Sequence, residues 1–196
     1  MTHGNEQMAP ETIVCFGDSL TNGARDEYHR SYPMELSRII RQRTGRVFAC
    51  LNYGINGQTT SQMLNRAHGV LGPNRAARLV LFLGGTNDTK VPMPDDIYRD
   101  NVESIVLLSR SFGLRIALGL LPPIYGPGLP CYSQSAGNEK IAGYNRTLEQ
   151  LADTYDCPRC DFRAYGPERY CDGVHMNHAG YLAMAEDWYE SIKGLL

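Results

Sequence analysis

No stretch of the 196-residue chain approaches the ~20 consecutive apolar residues of a membrane-spanning helix. The opening segment Met1–Gln7 is polar and lacks the apolar centre of a secretory leader, so the expected location is the cytoplasm. Charge of neither sign dominates. Nineteen Lys and Arg against 21 Asp and Glu leave a formal net charge of -2, which argues against a general electrostatic grip on nucleic acid. Gly and Pro, 20 and 11 residues, are too few for a low-complexity chain. No internal repeat or linker interrupts the sequence, and its length is near the ~150 residues of one domain. The expected organisation is a flexible tail over residues 1–10 and one folded unit over residues 11–196.

The six cysteines do not argue for disulfides in a chain with no leader; reduced thiols are expected. Cys15 and Cys50 lie in apolar runs and read as small core residues. Cys157-Pro158-Arg159-Cys160 is a lone C-x-x-C, whereas a structural zinc site needs four ligands. Cys171 with His175 or His178 would have to complete it, and no second tight pair supports that. The cysteines near Cys157 read as incidental and near the surface; no metal and no cofactor are expected.

What is present is a regular alternation. Ile13–Phe16, Val47–Leu51, Leu79–Leu83 and Ile116–Leu121 are short continuous apolar runs, the pattern of strands buried on both faces of a parallel sheet. A fifth strand is expected near Arg159–Ala164. Helical spacing appears in Leu36, Ile39 and Ile40 after Pro33, and in Tyr98, Val102, Ile105 and Phe112. It recurs in Ile141, Tyr144, Leu148, Leu151 and Tyr155, and in Tyr181, Ala185, Trp188 and Ile192. Strands alternating with helices imply right-handed crossovers and a three-layer α/β/α sandwich. One long irregular segment runs from Pro122 to about Asn138.

Three polar clusters directly follow apolar runs: Gly17–Gly23, Asn52–Thr60 and Gly84–Asp88. All would lie at carboxyl ends of parallel strands, where open α/β sheets place their ligand crevice. A fourth, Asp172-Gly173-Val174-His175, precedes the last helical stretch. The inventory fits acyl transfer. A serine hydroxyl needs an adjacent base, an imidazole needs a carboxylate to orient it, and a tetrahedral oxyanion needs preset donors. Ser19, Asp172 and His175 supply the first three, while glycine N–H groups and the Asn87 amide supply donors. The order Ser, Asp, His agrees with α/β-hydrolases, but no G-x-S-x-G elbow surrounds Ser19, so that fold is disfavoured.

These blocks resemble the SGNH superfamily, the GDSL esterases and lipases. Gly17-Asp18-Ser19-Leu20 is similar to its first block and Gly57 to its second. Gly85-Thr86-Asn87-Asp88 matches the third and Asp172-x-x-His175 the last, with Met176 where many relatives have Pro. The resemblance implies a flavodoxin-like five-stranded parallel sheet of order 2-1-3-4-5 and hydrolysis of an ester or thioester, so the expected partner is a small-molecule ester. It implies Ser19 as nucleophile, His175 as base, and an oxyanion hole of Ser19 N–H, Gly57 N–H and the Asn87 side chain.

Blander roles stand beside these. Ser19 could be a helix N-cap, Gly54 and Gly57 turn residues, Asn87 a cap, and Asp18 and Asp88 braces for loops. His178 is expected in the first turn of the final helix, His3 lies in the expected tail, and His29 and His68, with no acidic partner at suggestive spacing, read as ordinary surface histidines. Met93, Tyr125, Leu129 and Tyr132 are expected to form an apolar acyl wall, with the segments 90–94 and 121–138 setting specificity. An acyltransferase would use the same acyl-enzyme. A flavodoxin-like binding module is disfavoured because Gly17–Gly23 has neither the Gly-rich phosphate fingerprint nor a Lys.

Overall fold

Uninterrupted apolar side chains are favourable in a strand only where helices cover both faces of its sheet. In the computed structural model, which describes residues 10–28, 30–91, 93–126 and 129–196, the apolar runs form one all-parallel sheet. Its strands are β1 (Glu11–Gly17), β2 (Phe48–Gly54), β3 (Leu79–Leu83), β4 (Ile116–Leu120) and β5 (Arg159–Asp161), in the order β2-β1-β3-β4-β5. Residues 1–9, with His3 and nearly all of the expected tail, lie outside the described residues, as does His29.

Among the described residues six helices pack around the sheet: α1 (Ser19–Asn22), α2 (Tyr32–Thr44), α3 (Thr60–Leu71), α4 (Asp95–Ser111), α5 (Gln134–Tyr155) and α6 (His178–Ile192). The chain reverses its direction across the sheet after β2, which divides them into two groups. Helix α2 packs with α6, while α3, α4 and α5 pack in succession. Trp188 on α6 is fully buried, with Tyr32 of α2 at 6.2 Å and Phe162 after β5 at 5.6 Å between ring centroids. Burial of such a ring contributes about 1.5–3 kcal/mol.

The interior strands β3 and β4 are wholly buried, as expected. The edges are not. β2 is half-exposed along most of its length, and β5 buries only Cys160 of its three residues. β2 also starts after the exposed Val47 and continues through Asn52-Tyr53-Gly54, which the sequence suggests is loop; pairing with β1 as far as Gly17 extends it. β4 stops before Leu121 because the Asn145 side chain takes both Leu121 backbone groups. β5 stops at Asp161, whose carboxylate accepts the Arg163 N–H in a turn.

Helix α3 has no counterpart among the expected elements. Its signature is the reciprocal cap Thr59-x-x-Gln62, in which Thr59 Oγ1 accepts the Gln62 N–H while Gln62 Oε1 accepts the Thr59 N–H. The irregular segment after β4 ends at Ser133, which caps α5 by accepting the Ala136 N–H. Residues 134–138 are therefore helical.

Candidate active site

Strand register sets the level of the site. Gly17 lies opposite Gly54 on β2 and Leu83 on β3, so three polar loops leave the sheet at one height. A side chain at Gly54 would run into the Asn22 amide; glycine there lets α1 sit directly on the strand ends. The residue that caps α1 is Asp18, not Ser19: its Oδ1 accepts the Leu20 N–H at 2.9 Å. Ser19 is the first helical residue, and it is buried to 5% exposure.

The last cluster meets it there. His175 Nε2 lies 3.0 Å from Ser19 Oγ, and His175 Nδ1 lies 2.8 Å from Asp172 Oδ2. The three-residue spacing has a mechanical reason. Asp172 Oδ1 accepts the His175 and Val174 backbone N–H groups at 2.7 and 3.0 Å, so one carboxylate orients both the backbone and the ring of the histidine. A carboxylate at Nδ1 keeps the proton there and leaves Nε2 free to accept from Ser19. Partial burial pushes the Asp172 carboxyl up, but the His175 amide and imidazole and the Val174 amide outweigh it and hold it below the ordinary value. Arg25 Nε, 3.8 Å from Asp172 Oδ2, is largely exposed and adds little.

Of the expected oxyanion donors, Gly57 is exposed at a turn with φ +79°, a conformation that favours glycine. Neither its N–H nor that of Ser19 donates to another described residue. Asn87 follows Gly85 at the start of a 3-10 turn, Thr86–Lys90, and is 1% exposed. Its Nδ2 donates to Gln58 O at 3.0 Å and lies 3.3 Å from Asp18 Oδ2, while its Oδ1 accepts the Tyr132 hydroxyl at 2.8 Å. Asp88 braces the same turn, accepting the Thr60 N–H at 3.0 Å and the Thr60 hydroxyl at 2.5 Å.

Arg66 of α3 is a residue that no motif announces. Its Nη2 donates to Gly17 O and Tyr53 O at 3.0 and 2.8 Å, and its Nε to Gln58 Oε1 at 2.6 Å. One guanidinium therefore ties the ends of β1 and β2 to the loop that carries Gly57. Burial lowers its pKa.

Burial pushes the Asp18 carboxyl up to about 7, against the lowering effect of the Leu20 N–H and with help from Asp88. A folded-state value above the unfolded one means that the native protein binds the extra proton, so this group's contribution to stability falls as pH rises from about 4 to about 7. Asp18→Asn removes the titration and keeps an acceptor for Leu20. Melting curves should show the wild type losing ground to Asp18→Asn on going from about pH 5 to about pH 8. A difference between the two that is constant with pH would contradict the buried, proton-holding carboxyl.

The four expected wall residues divide. Tyr132 turns its hydroxyl to Asn87 and holds the Lys90 ammonium over its ring at 4.8 Å, so it is not a purely apolar surface. Tyr125 braces the Asp172 loop. Its hydroxyl donates to Tyr165 O at 2.7 Å, its N–H to Gly173 O at 2.8 Å, and its ring meets Tyr170 edge-on. With Tyr170, Asp172 and Gly173 it lines a hollow of ≈ 330 Å³. Met93 and Leu129 pack, partly buried, on the core.

His178 opens α6, with Nδ1 3.8 Å from Asp26, and does not join Ser19. His68 rests edge-on against Phe112. All six cysteines are free, and among the described residues no three His, Cys, Asp or Glu side chains gather to hold a metal ion. Cys160 is buried rather than superficial, and Cys171 points its thiol at the His175 carbonyl, 3.4 Å away. Among the described residues no helix is long and apolar enough to cross a membrane.

Known proteins share this arrangement of chain. Residues 15–183 match the model of the GDSL-like lipase/acylhydrolase family. The esterase TesA of Pseudomonas aeruginosa is 24% identical over 198 residues, covering 97% of this chain and 92% of that protein. An uncharacterized lipoprotein of Bacillus subtilis, YqeF, is 30% identical over 183 residues, covering 82% of this chain and 74% of its own. The crystal structure of a lipase/acylhydrolase from Enterococcus faecalis superposes with a TM-score of 0.81 at 23% identity, over 94% of this chain and 96% of that one. With this sheet order and a family match over most of its length, the chain belongs to the GDSL-like lipase/acylhydrolase family and is an ester hydrolase.

Proposed function

We propose that the chain cleaves carboxylic esters or thioesters of small molecules through an acyl-enzyme on Ser19. The observation that carries this reading is the unbroken line from Asp172 through His175 to Ser19, with hydrogen bonds of 2.8 and 3.0 Å. Ser19 Oγ attacks the substrate carbonyl carbon while His175 Nε2 takes its proton. Asp172, fixed by two backbone N–H groups, stabilises the imidazolium that forms. Charge developing on the carbonyl oxygen is met by the Ser19 and Gly57 N–H groups and by Asn87 Nδ2, which keeps its bond to Gln58 O and turns its other N–H from the longer 3.3 Å contact with Asp18 to the oxyanion. The C–O or C–S bond then breaks, and the leaving alcohol or thiol takes the proton from His175. Water, deprotonated by the same imidazole, releases the acid and restores Ser19.

A panel of p-nitrophenyl esters of increasing acyl length, with acyl-CoA and acetylated sugars, tests the reading and ranks substrates. The expected result is a burst of p-nitrophenol equal to the enzyme present, followed by slower turnover, unchanged by EDTA. Activity lost on chelation and restored by zinc would overturn it. Transfer of the acyl group to an added alcohol faster than to water would make the chain an acyltransferase.

A further inference from the structure

The Asn87 amide is gripped from a distant part of the chain. Tyr132, 45 residues later in sequence, comes from the segment between β4 and α5 and meets the turn Thr86–Lys90 twice. Its hydroxyl donates to Asn87 Oδ1 at 2.8 Å, and its ring lies beneath Lys90 Nζ at 4.8 Å. We propose that Tyr132 is a positioning residue for ester hydrolysis, its hydroxyl holding the Asn87 amide with Nδ2 toward the oxyanion. The inference rests on the reading of Asn87 as an oxyanion donor.

A primary amide presents a donor on one side and an acceptor on the other, and a half-turn exchanges them. Around Asn87 the two sides differ. Nδ2 faces two acceptors, Gln58 O and Asp18 Oδ2, and Oδ1 faces one donor, Tyr132. Turned over, Oδ1 would face the Gln58 carbonyl oxygen, lose its bond from Tyr132, and offer the oxyanion a like partial charge. Tyr132 sets the opposite end of the same group. Its donation to Oδ1 also polarises the amide and strengthens the Nδ2–H bonds, as linked hydrogen bonds do in a water-poor site. Burial first, and the Asp18 carboxylate second, raise the Tyr132 pKa, so the hydroxyl keeps the proton it donates. Tyr132 thus joins the segment expected to touch substrate to the oxyanion donor.

Tyr132→Phe keeps the ring and its contact with Lys90 and deletes only the donor. The loss of one neutral hydrogen bond should lower kcat about 2- to 12-fold, with KM unchanged. The rate constant of fluorophosphonate inactivation, which forms a comparable oxyanion, should fall by the same factor. In the Asn87→Ala background, Tyr132→Phe should add no further loss. Multiplying losses, or a raised KM with kcat intact, would overturn the inference and make Tyr132 a direct substrate contact. Unchanged kcat and inactivation rate in Tyr132→Phe, with Asn87→Ala still impaired, would overturn positioning alone. Full activity in Asn87→Ala would overturn the oxyanion reading, and this inference with it.

Discussion

Ser19→Ala should abolish turnover while the protein stays folded. The variant removes the atom that forms the acyl bond, and loss of a triad nucleophile lowers kcat by on the order of 10⁴-fold or more. Its structural consequences are small. Asp18, not Ser19, caps α1, so the helix start survives, and the one hydrogen bond lost is that to His175. At about 1 kcal/mol this shifts the melting temperature by no more than about 4 °C for a chain of this size. The checks are the esterase rate, the melting curve, and fluorophosphonate labelling followed by mass spectrometry of the intact protein. Labelling of the Ser19→Ala protein at the wild-type rate would place the nucleophile on another serine.

Asn87→Ala should lower kcat by roughly 10²–10³-fold, about 2.7–4 kcal/mol, because in the proposed mechanism its Nδ2 donates to charge that appears only in the transition state; KM should change little. The structure adds a second expectation. Asn87 also bonds Gln58 and Tyr132, so the variant should lose about 1–3 kcal/mol of stability as buried partners go unmatched. A structural role alone would lower the melting temperature and leave kcat of the folded fraction near the wild-type value. Asn87→Asp is harsher than a change of equal volume suggests, since it sets a second carboxylate beside Asp18, which lies 3.3 Å from Nδ2. It should inactivate at least as strongly as Ala and melt lower. A stably folded, fully active Asn87→Asp protein would remove Asn87 from the mechanism.

Much of the fold was legible because it depends on local pattern. Continuous apolar runs such as Leu79–Leu83 can be buried only between two layers of helices, and polar residues after such runs fall at one sheet edge. The Asp172–His175 pairing is also local, since a carboxylate three residues before a histidine reaches both its N–H and its ring. Helix α3 was legible in principle through the Thr59–Gln62 cap and through Met63, Ala67, Val70 and Leu71, which share one buried helical face. The half-burial of β2 was not, because an edge position depends on which strands lie beside it, and an apolar run is the same wherever it pairs.

The sequence by itself determined the layers and the chemical types that gather at the carboxyl edge of the sheet: a serine, an Asp–His turn, glycine amides and an asparagine. Only the tertiary structure decided what holds them in place. Arg66 reaches Gly17 from 49 residues away, and Tyr132 reaches Asn87 from 45. These contacts have no spacing rule, since packing of α3 on the sheet and the path of the chain into α5 bring the partners together. Tyr132 in particular reads in sequence as apolar surface; only folding sets its one polar atom against the single acceptor of Asn87.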